Sequence, residues 1–177
     1  PDVLDDEGTS HFSVIDSNGM TVACTQTING TFGSLLAVPE IGVILNNEMN
    51  DFTTIPGASN LFGLKQSDRN LPEPGKRPLS SMSPTILLRD GQTAVTAGAS
   101  GGPRIITGTL QVLLEVIHGG KSGRAAVDAP RLHHQWKPEI LRLEAGLAVL
   151  QPELEAVGHD VETTGGVGVV QAIVVHD

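Results

Sequence analysis

Thr9 is the first residue in the sequence that could do chemistry, because cleavage of the Gly8-Thr9 peptide bond would make it an N-terminal threonine. A threonine hydroxyl is a weak nucleophile at neutral pH and needs an adjacent base to accept its proton. A free α-amino group, with a typical pKa of about 7.7 to 8.0, can act as that base. Thr9 is therefore a candidate nucleophile, although the dipeptide Gly-Thr is common and needs support from the rest of the chain.

A glycine-rich turn offers donors for the negative charge that attack on a carbonyl group develops. The segment from Gly98 to Pro103 joins a predicted strand to a predicted helix, so the amides of Gly101 and Gly102 lie near the positive end of that helix. Such donors suit an oxyanion. A plain tight turn is the alternative, and a phosphate site fits less well because the P-loop lysine is absent.

The same turn supports a rival interpretation. Gly98-x-Ser100-x-Gly102 matches the nucleophile elbow of α/β-hydrolases, with Asp128 and His133 following in the order serine, acid, histidine. The elbow requires a parallel sheet, whereas the preceding strand is predicted to be antiparallel through Asp90-Gly91. A serine hydrolase that uses Ser100, Asp128 and His133 is therefore kept as an alternative.

Polar groups suited to a small substrate lie elsewhere in the chain. Ser80 and Ser81 provide hydroxyls that could bind a carboxylate, and a serine-rich turn is the alternative. Glu48 and Asp51 could hold an ammonium group, or could belong to a solvated loop. We expect no metal and no cofactor, because the adjacent pair at 133–134 would point to opposite faces of a strand.

The elements that position Thr9 are predicted to form a β-hairpin, with strands at 10–16 and 20–27 around a turn at 17–19. A two-residue loop would pair Thr9 with Ile28, whereas a three-residue loop with Gly19 in a left-handed bulge would pair it with Thr27. Only the second register separates an apolar face from a polar one. It sets Phe12 opposite Cys24 and Val14 opposite Val22, and leaves Thr9, His11, Ser13, Ala23, Thr25 and Thr27 on the other face.

The remaining pattern predicts an α+β fold with an antiparallel or mixed sheet covered by helices. A long loop is expected at 53–78, and a loop of about that length is usually functional or mobile. Strands are expected at 41–45, 86–89, 93–97, 131–133, 140–143 and 167–175, and helices at 105–117, after Ser122 and at 152–157.

Composition limits the function classes. The chain has 177 residues, about the size of one domain, and a net charge of −9. This acidic balance disfavours nucleic acid or an anionic membrane as partner, and no run approaches the roughly 18 apolar residues of a membrane span. The single cysteine, Cys24, excludes an internal disulfide.

Five segments together resemble the small subunit of γ-glutamyltranspeptidases in order and spacing. The family belongs to the N-terminal nucleophile hydrolases, so the resemblance implies an αββα sandwich built by a large and a small subunit cut from one precursor. The segments are Thr9-Ser10-His11-Phe12-Ser13-Val14-Ile15-Asp16, Asn46-Asn47-Glu48-Met49-Asn50-Asp51-Phe52, Arg77-Pro78-Leu79-Ser80-Ser81-Met82-Ser83-Pro84-Thr85, Gly101-Gly102-Pro103-Arg104-Ile105-Ile106 and Ala129-Pro130-Arg131-Leu132-His133-His134-Gln135-Trp136.

The resemblance also implies roles for individual residues and an activity: γ-glutamyl transfer and hydrolysis, on glutathione or related γ-glutamyl amides, through a threonyl acyl-enzyme. Acylase and poly-γ-glutamate chemistry are the related possibilities. The implied roles are Thr9 as nucleophile, Thr27 as its hydrogen-bond partner, Gly101 and Gly102 as the oxyanion hole, Asn29, Glu48 and Asp51 at the α-amino end of the substrate, and Ser80 and Ser81 at its α-carboxylate.

The resemblance divides the chain at the processing site. Residues 1–8 are expected to be a residual pro-segment and residues 9–177 the small-subunit catalytic region, shortened at its C-terminus. The partner is then the large subunit, which in the family adds an arginine to the carboxylate site, and the fragment alone is expected to self-associate. The family suggests a periplasmic or extracellular location. The alternative is an unprocessed, inactive fragment that acts only as an assembly domain.

Overall fold

The computed structural model describes residues 8–176, so the predicted pro-segment at 1–8 lies outside the described residues except for Gly8. Residues 8–176 form ten strands, three α-helices and three 3₁₀ turns. The strands are β1 (Thr9–Ile15), β2 (Thr21–Thr27), β3 (Ala37–Val38), β4 (Val43–Ile44), β5 (Thr85–Arg89), β6 (Gln92–Ser100), β7 (Leu132–His133), β8 (Leu141–Glu144), β9 (Val161–Thr164) and β10 (Val169–Val174). The helices are α1 (Arg104–Ile117), α2 (Gly123–Val127) and α3 (Gln151–Ala156), and the 3₁₀ turns cover Glu48–Asp51, Asp68–Asn70 and Ala145–Leu150.

The N-terminal hairpin has the predicted register. β1 and β2 are antiparallel, with Thr9 paired to Thr27 and Phe12 paired to Cys24. Gly19 adopts a φ of 84° at the end of the turn, which a glycine tolerates without a steric penalty. The alternation of apolar and polar residues therefore identified the pairing of the two threonines.

The central sheet is antiparallel, with the strand order β10-β6-β5. Asp90 and Gly91, with φ angles of 52° and 80°, form the tight turn between β5 and β6 that the sequence predicted. β6 carries the most buried side chains of the sheet, since Ala97 and Ala99 are fully buried. The sheet is therefore anchored through β6.

Helices and the hairpin cover opposite faces of this sheet. Ala99 packs with Ile105 and Val112 of α1, and each of these two larger side chains is at most 1% exposed. Full burial of such a side chain stabilises the fold by about 1.5–3 kcal/mol. The other face of β6 contacts β1 and β2, so the described chain has the order helices, sheet, hairpin.

The layer between hairpin and sheet is polar and closely packed. His11 is 7% exposed, and its ring is hydrogen-bonded to the Thr25 hydroxyl at 2.8 Å and the Ser13 hydroxyl at 3.0 Å. Ser13 Oγ also lies 3.0 Å from Thr96 Oγ1 on β6. Burial lowers the pKa of His11, which favours the neutral imidazole. The ring lies directly over Gly98, where a larger residue would leave no room.

Several short elements differ from the sequence prediction. The apolar segment expected at 41–45 is strand only at β4, and it pairs with β3, which was not predicted. β9 was also missed, and it pairs in parallel with β8, so the sheet β7-β8-β9 is mixed. Both missed strands are too short or too polar to show a clear alternation. The long loop at 53–78 contains a 3₁₀ turn at Asp68–Asn70.

The outer face of the hairpin is apolar and uncovered among the described residues. Phe12, Val14 and Val22 are between 45% and 52% exposed.

Within residues 8–176, no helix has the length and apolar character needed to cross a membrane.

Candidate functional site

Thr9 and Thr27 form a hydroxyl pair at one end of the hairpin. Thr9 is 5% exposed at the start of β1, and its Oγ1 lies 2.9 Å from Thr27 Oγ1. The backbone N–H of Asn29 donates to Thr27 Oγ1 at 2.8 Å and thereby fixes that hydroxyl. The predicted hydrogen bond between the two threonines is present, because the antiparallel register places their side chains on the same face.

One cleft contains most of the residues that the sequence singled out. It is a shallow, partly open cleft beside Thr9. The residues of the predicted site that line it are Thr9, Thr27, Asn29, Asp51, Ser80, Ser81 and Gly102, and Phe62, Met82 and Ile105 complete its walls.

The acidic wall of the cleft comes from the 3₁₀ turn at Glu48–Asp51. Burial raises the pKa of Asp51, and burial followed by the charge of Asp51 raises the pKa of Glu48. The buried Glu48 Oε1 has no hydrogen-bond partner among the described residues. A buried carboxylate oxygen without a partner is costly. Asp51 lines the cleft. Glu48 of the same turn does not line it, but its carboxylate is close enough to Asp51 for the two charges to interact. This wall therefore has the negative charge that would attract an ammonium group.

Asn29 borders the same end of the cleft in a strained conformation. It is 4% exposed with a φ of 73°, a left-handed angle that asparagine tolerates better than most residues. Its Nδ2 donates to the Asn47 carbonyl oxygen at 3.1 Å, and Asn47 Oδ1 accepts the Gly30 N–H at 2.9 Å. These bonds hold the end of β2 against the acidic turn and keep Asn29 in the wall.

The serine wall lies in the extended segment before β5. Ser80 Oγ accepts the Met82 N–H at 3.1 Å, which leaves the Ser80 O–H free to donate. The Ser81 carbonyl accepts the Ser83 hydroxyl at 3.1 Å, a second local hydrogen bond that helps to hold this extended segment in place. Hydroxyl donors at this wall match the needs of a carboxylate ligand.

Gly101 and Gly102 form the turn between β6 and α1, with φ angles of 120° and 56°. Their carbonyls accept the amides of Arg104 at 3.2 Å and Ile105 at 3.1 Å, whereas their own N–H groups donate to nothing else within residues 8–176. Gly102 lines the cleft, and Gly101 lines an adjoining one that shares Phe62. Two free amides at a helix N-terminus suit an oxyanion.

The rival serine triad is not assembled, so that interpretation is wrong. Ser100 is 2% exposed at the end of β6, which is antiparallel to both neighbouring strands. Asp128 pairs with Arg124 at the surface. His133 is 1% exposed and its ring is hydrogen-bonded to Thr107 and Gln135, each at 2.8 Å. The three residues share an order in the sequence but no common site.

Three residues that line the cleft, and one buried polar residue behind its walls, were not identified from the sequence. Phe62 lies in the long loop predicted at 53–78, Met82 follows the two serines, and Ile105 begins the predicted helix; none of the three was predicted to have a role in the site. Asn70 lies 4% exposed in the same loop. No local pattern distinguishes these residues.

Among residues 8–176, no group of three His, Cys, Asp or Glu side chains could hold a metal ion.

Comparison with known proteins identifies one family. A sequence model of gamma-glutamyltranspeptidase matches residues 2–177. The glutathione hydrolase proenzyme of Escherichia coli is 46% identical over 171 residues, which cover 94% of this chain and 29% of that protein. The chain thus spans less than a third of the length of that relative. A protein of Arabidopsis thaliana named putative inactive glutathione hydrolase 4 is 46% identical over 144 residues, or 81% of this chain and 75% of that protein.

A solved structure shows the same fold. A γ-glutamyltranspeptidase of Helicobacter pylori with a threonine-to-alanine substitution superposes with a TM-score of 0.89 at 44% sequence identity. The match covers 93% of this chain and 89% of that chain.

Proposed function

The chain belongs to the γ-glutamyltranspeptidase family of N-terminal nucleophile hydrolases, and we propose that it carries the nucleophile and most of the substrate-binding groups of an enzyme that transfers or hydrolyses γ-glutamyl groups. The observation that carries this proposal is the Thr9-Thr27 hydroxyl pair, 2.9 Å apart, at a cleft with acidic and serine walls. Thr9, Thr27, Gly101 and Gly102 would do the chemistry. Asn29, Glu48, Asp51, Ser80 and Ser81 would bind the substrate.

Activation of Thr9 requires cleavage of the bond to Gly8. Within that peptide bond the nitrogen of Thr9 is an amide and is not basic. After cleavage it becomes an α-amino group with a typical pKa of about 7.7 to 8.0, a suitable base for the adjacent hydroxyl. We therefore propose autoproteolysis at Gly8-Thr9, with residues 1–8 as the end of the preceding segment and residues 9–177 as the small-subunit region.

The proposed reaction is acyl transfer through an ester on Thr9. The Thr9 hydroxyl attacks the γ-carbonyl carbon, and its proton passes to the α-amino group. The N–H groups of Gly101 and Gly102 stabilise the oxyanion, and the amine leaves after it takes up a proton. Water then hydrolyses the ester, or the amino group of an acceptor takes the γ-glutamyl group.

The cleft walls suit the two charges at the α-carbon of a γ-glutamyl group. Asp51, with Glu48 beside it, attracts the α-ammonium group, and the hydroxyls of Ser80 and Ser81 donate to the α-carboxylate. A donor that lacks either charged group would leave one wall of the cleft without its partner. Because an unpaired polar group in a site is costly, such a donor should bind less tightly than a γ-glutamyl donor. Glutathione and related γ-glutamyl amides are the substrate class that this arrangement supports.

The proposed partner is the large subunit from the same precursor. The exposed apolar face of the hairpin, with Phe12, Val14 and Val22, would be covered by it and complete the αββα sandwich. The alternative function is that of an unprocessed assembly domain without activity, which is supported by the relative named as putatively inactive.

Thr9→Ala tests the proposal in the full-length protein. N-terminal sequencing of the wild type should find a chain that begins at Thr9, and a γ-glutamyl anilide should be hydrolysed. The variant should show neither processing nor turnover. Ser10→Ala is the matched control, because it removes an exposed hydroxyl one residue away and should retain both. Processing and turnover in Thr9→Ala would overturn the proposal, and their absence from the wild type would favour the assembly domain.

A further inference from the structure

Asn70 connects the two walls of the cleft from behind. It is 4% exposed, and its Nδ2 donates to the backbone carbonyl of Asp51 at 2.7 Å and to the side-chain oxygen of Gln66. Its Oδ1 accepts the backbone N–H of Leu79 at 3.1 Å. Both amide hydrogens and the carbonyl oxygen are thus used, and the reverse orientation of the amide would place oxygen against oxygen.

These partners belong to opposite ends of the proposed substrate. Asp51 is the carboxylate of the acidic wall, and Leu79 immediately precedes Ser80 of the serine wall. The ammonium and carboxylate groups of a γ-glutamyl substrate are attached to one carbon atom, so the distance between their binding sites must stay fixed. A single buried amide is bonded to the backbone of both sites.

The backbone of Asn70 is held as firmly as its side chain. The Asn70 carbonyl accepts the Thr53 N–H at 3.0 Å, and the Asn70 N–H donates to the Ser67 carbonyl at 3.0 Å. Thr53 is 5% exposed, and its hydroxyl donates to the same Ser67 carbonyl at 3.1 Å. The 3₁₀ turn at Asp68–Asn70 is therefore a rigid support within the long loop.

We propose that Asn70 is a positioning residue that sets the spacing between the ammonium and carboxylate sites, and so selects donors that carry both groups. This role rests on the proposed γ-glutamyl activity and deepens it. Asn70 does not line the cleft. It acts through the backbone of Asp51 and Leu79, and its effect is on substrate discrimination rather than on the chemical step.

Asn70→Asp tests this role with nearly no change of shape. The variant replaces an N–H donor by an oxygen that faces the carbonyl of Asp51, so the acidic wall must move. In the complete processed enzyme, kcat/KM for γ-glutamyl anilide should fall roughly tenfold or more, mainly through KM. For glutaryl anilide, which lacks the α-amino group, kcat/KM should change little. The preference for the γ-glutamyl donor should therefore be lost.

Two further variants separate positioning from general damage. Asn60→Asp adds the same charge to the same loop and also buries the new oxygen, because Asn60 Nδ2 is buried with no partner among the described residues. It keeps the two bonds that Asn60 Oδ1 accepts from the N–H groups of Phe62 and Leu64, each at 3.0 Å, and does not contact Asp51. Its donor preference should match the wild type. Leu79→Pro removes the N–H that Asn70 Oδ1 accepts, at a position whose side chain is 60% exposed. It should weaken the preference in the same direction as Asn70→Asp.

The outcomes are distinct. The positioning role is contradicted if the ratio of kcat/KM for the two donors stays unchanged in both Asn70→Asp and Leu79→Pro. This holds whether kcat/KM falls equally for both donors or does not fall at all. If Asn70→Asp does not fold, as judged by its thermal unfolding, Leu79→Pro decides. A wild-type enzyme without γ-glutamyl turnover overturns the proposed function, and this role with it, which differs visibly from a loss of preference in the variants.

Discussion

At the scale of single residues, the site combines groups that are costly to hold without a ligand. Glu48 has a buried carboxylate oxygen with no hydrogen-bond partner among the described residues, and burial raises its pKa and that of Asp51. Asn29 has a left-handed backbone. Strained or unpaired groups are often concentrated where a ligand binds. These features fit a cleft that is completed by a positively charged group.

Glu48→Gln should make the protein more stable at neutral pH but a poorer enzyme. The folded-state pKa of Glu48 is raised above 4.5, so the folded state binds this proton more strongly than the unfolded state. The free energy of unfolding therefore falls as pH rises from the ordinary pKa of 4.5 through the raised pKa of the folded state. The variant should unfold at a higher temperature at pH 7. Its KM for γ-glutamyl anilide should rise roughly tenfold through loss of the charge beside Asp51.

The pH dependence of KM tests whether the ionised carboxylates of the acidic wall bind the substrate. In the wild type, KM should rise as pH falls into a range somewhat above the ordinary carboxylate pKa, where the acidic wall becomes protonated. Glu40→Gln, which removes an exposed carboxylate that does not line the cleft, is the control and should leave both KM and stability nearly unchanged. A Glu48→Gln variant with a normal KM would contradict the role of the acidic wall.

At the scale of the elements, the hairpin packs on the sheet through His11 and Gly98. A Cβ atom on Gly98 would overlap the His11 ring, which two hydrogen bonds hold in place. Gly98→Ala should therefore destabilise the protein by about 2–3 kcal/mol and displace the start of β1. Chemical denaturation measures the first effect, and a fall in turnover would report the second.

A double-mutant cycle isolates this contact. His11→Ala removes the ring that the new methyl group would meet, so the combination of His11→Ala and Gly98→Ala should cost less than the sum of the two single changes. Additive costs would show that the hairpin does not rest on Gly98 in the way the structure indicates.

The hairpin and the helix α1 were predictable because their patterns are long and regular. Seven paired positions with one apolar and one polar face leave one register. In contrast, β3 and β9 contain two and four residues, too few to show a clear alternation. The partner of β9 is β8, twenty positions earlier in the sequence. The support that Asn70 gives to the cleft depends on Asp51 and Leu79, nineteen and nine positions away, and no local pattern encodes it.

At the scale of the whole molecule, the chain has an apolar surface that its own described residues do not cover. Phe12, Val14 and Val22 lie on the outer face of the hairpin, and Leu110 and Leu114 are 52% and 42% exposed on α1. Apolar patches of this kind usually mark interaction sites. The proposed large subunit would cover the face of the hairpin.

Val14→Lys should separate assembly from the local chemistry. Val14 is 52% exposed and points away from the cleft, so a lysine there fits the isolated chain but not a buried interface. In the full-length protein, the variant should reduce association of the two subunits and turnover together. The isolated chain should self-associate less than the wild type in sedimentation experiments. Normal assembly of Val14→Lys would place the large subunit elsewhere.

Residue types and spacing predicted the Thr9-Thr27 pair, the glycine-rich turn, the acidic residues and the serine pair as separate candidates. The resemblance to a family joined them into one reaction, because spacing alone does not show that Asp51 and Ser80 face each other. The fold brings them to one cleft beside Thr9.

Identification of the acylated residue tests the central claim most directly. The processed enzyme would be mixed with a γ-glutamyl donor, quenched in acid during turnover, digested and analysed by mass spectrometry. We expect a γ-glutamyl ester on the peptide that begins with Thr9, and no such ester after treatment with hydroxylamine. A γ-glutamyl group on Ser80, Ser81 or Ser100 instead, or turnover by an enzyme whose Gly8-Thr9 bond is intact, would contradict it.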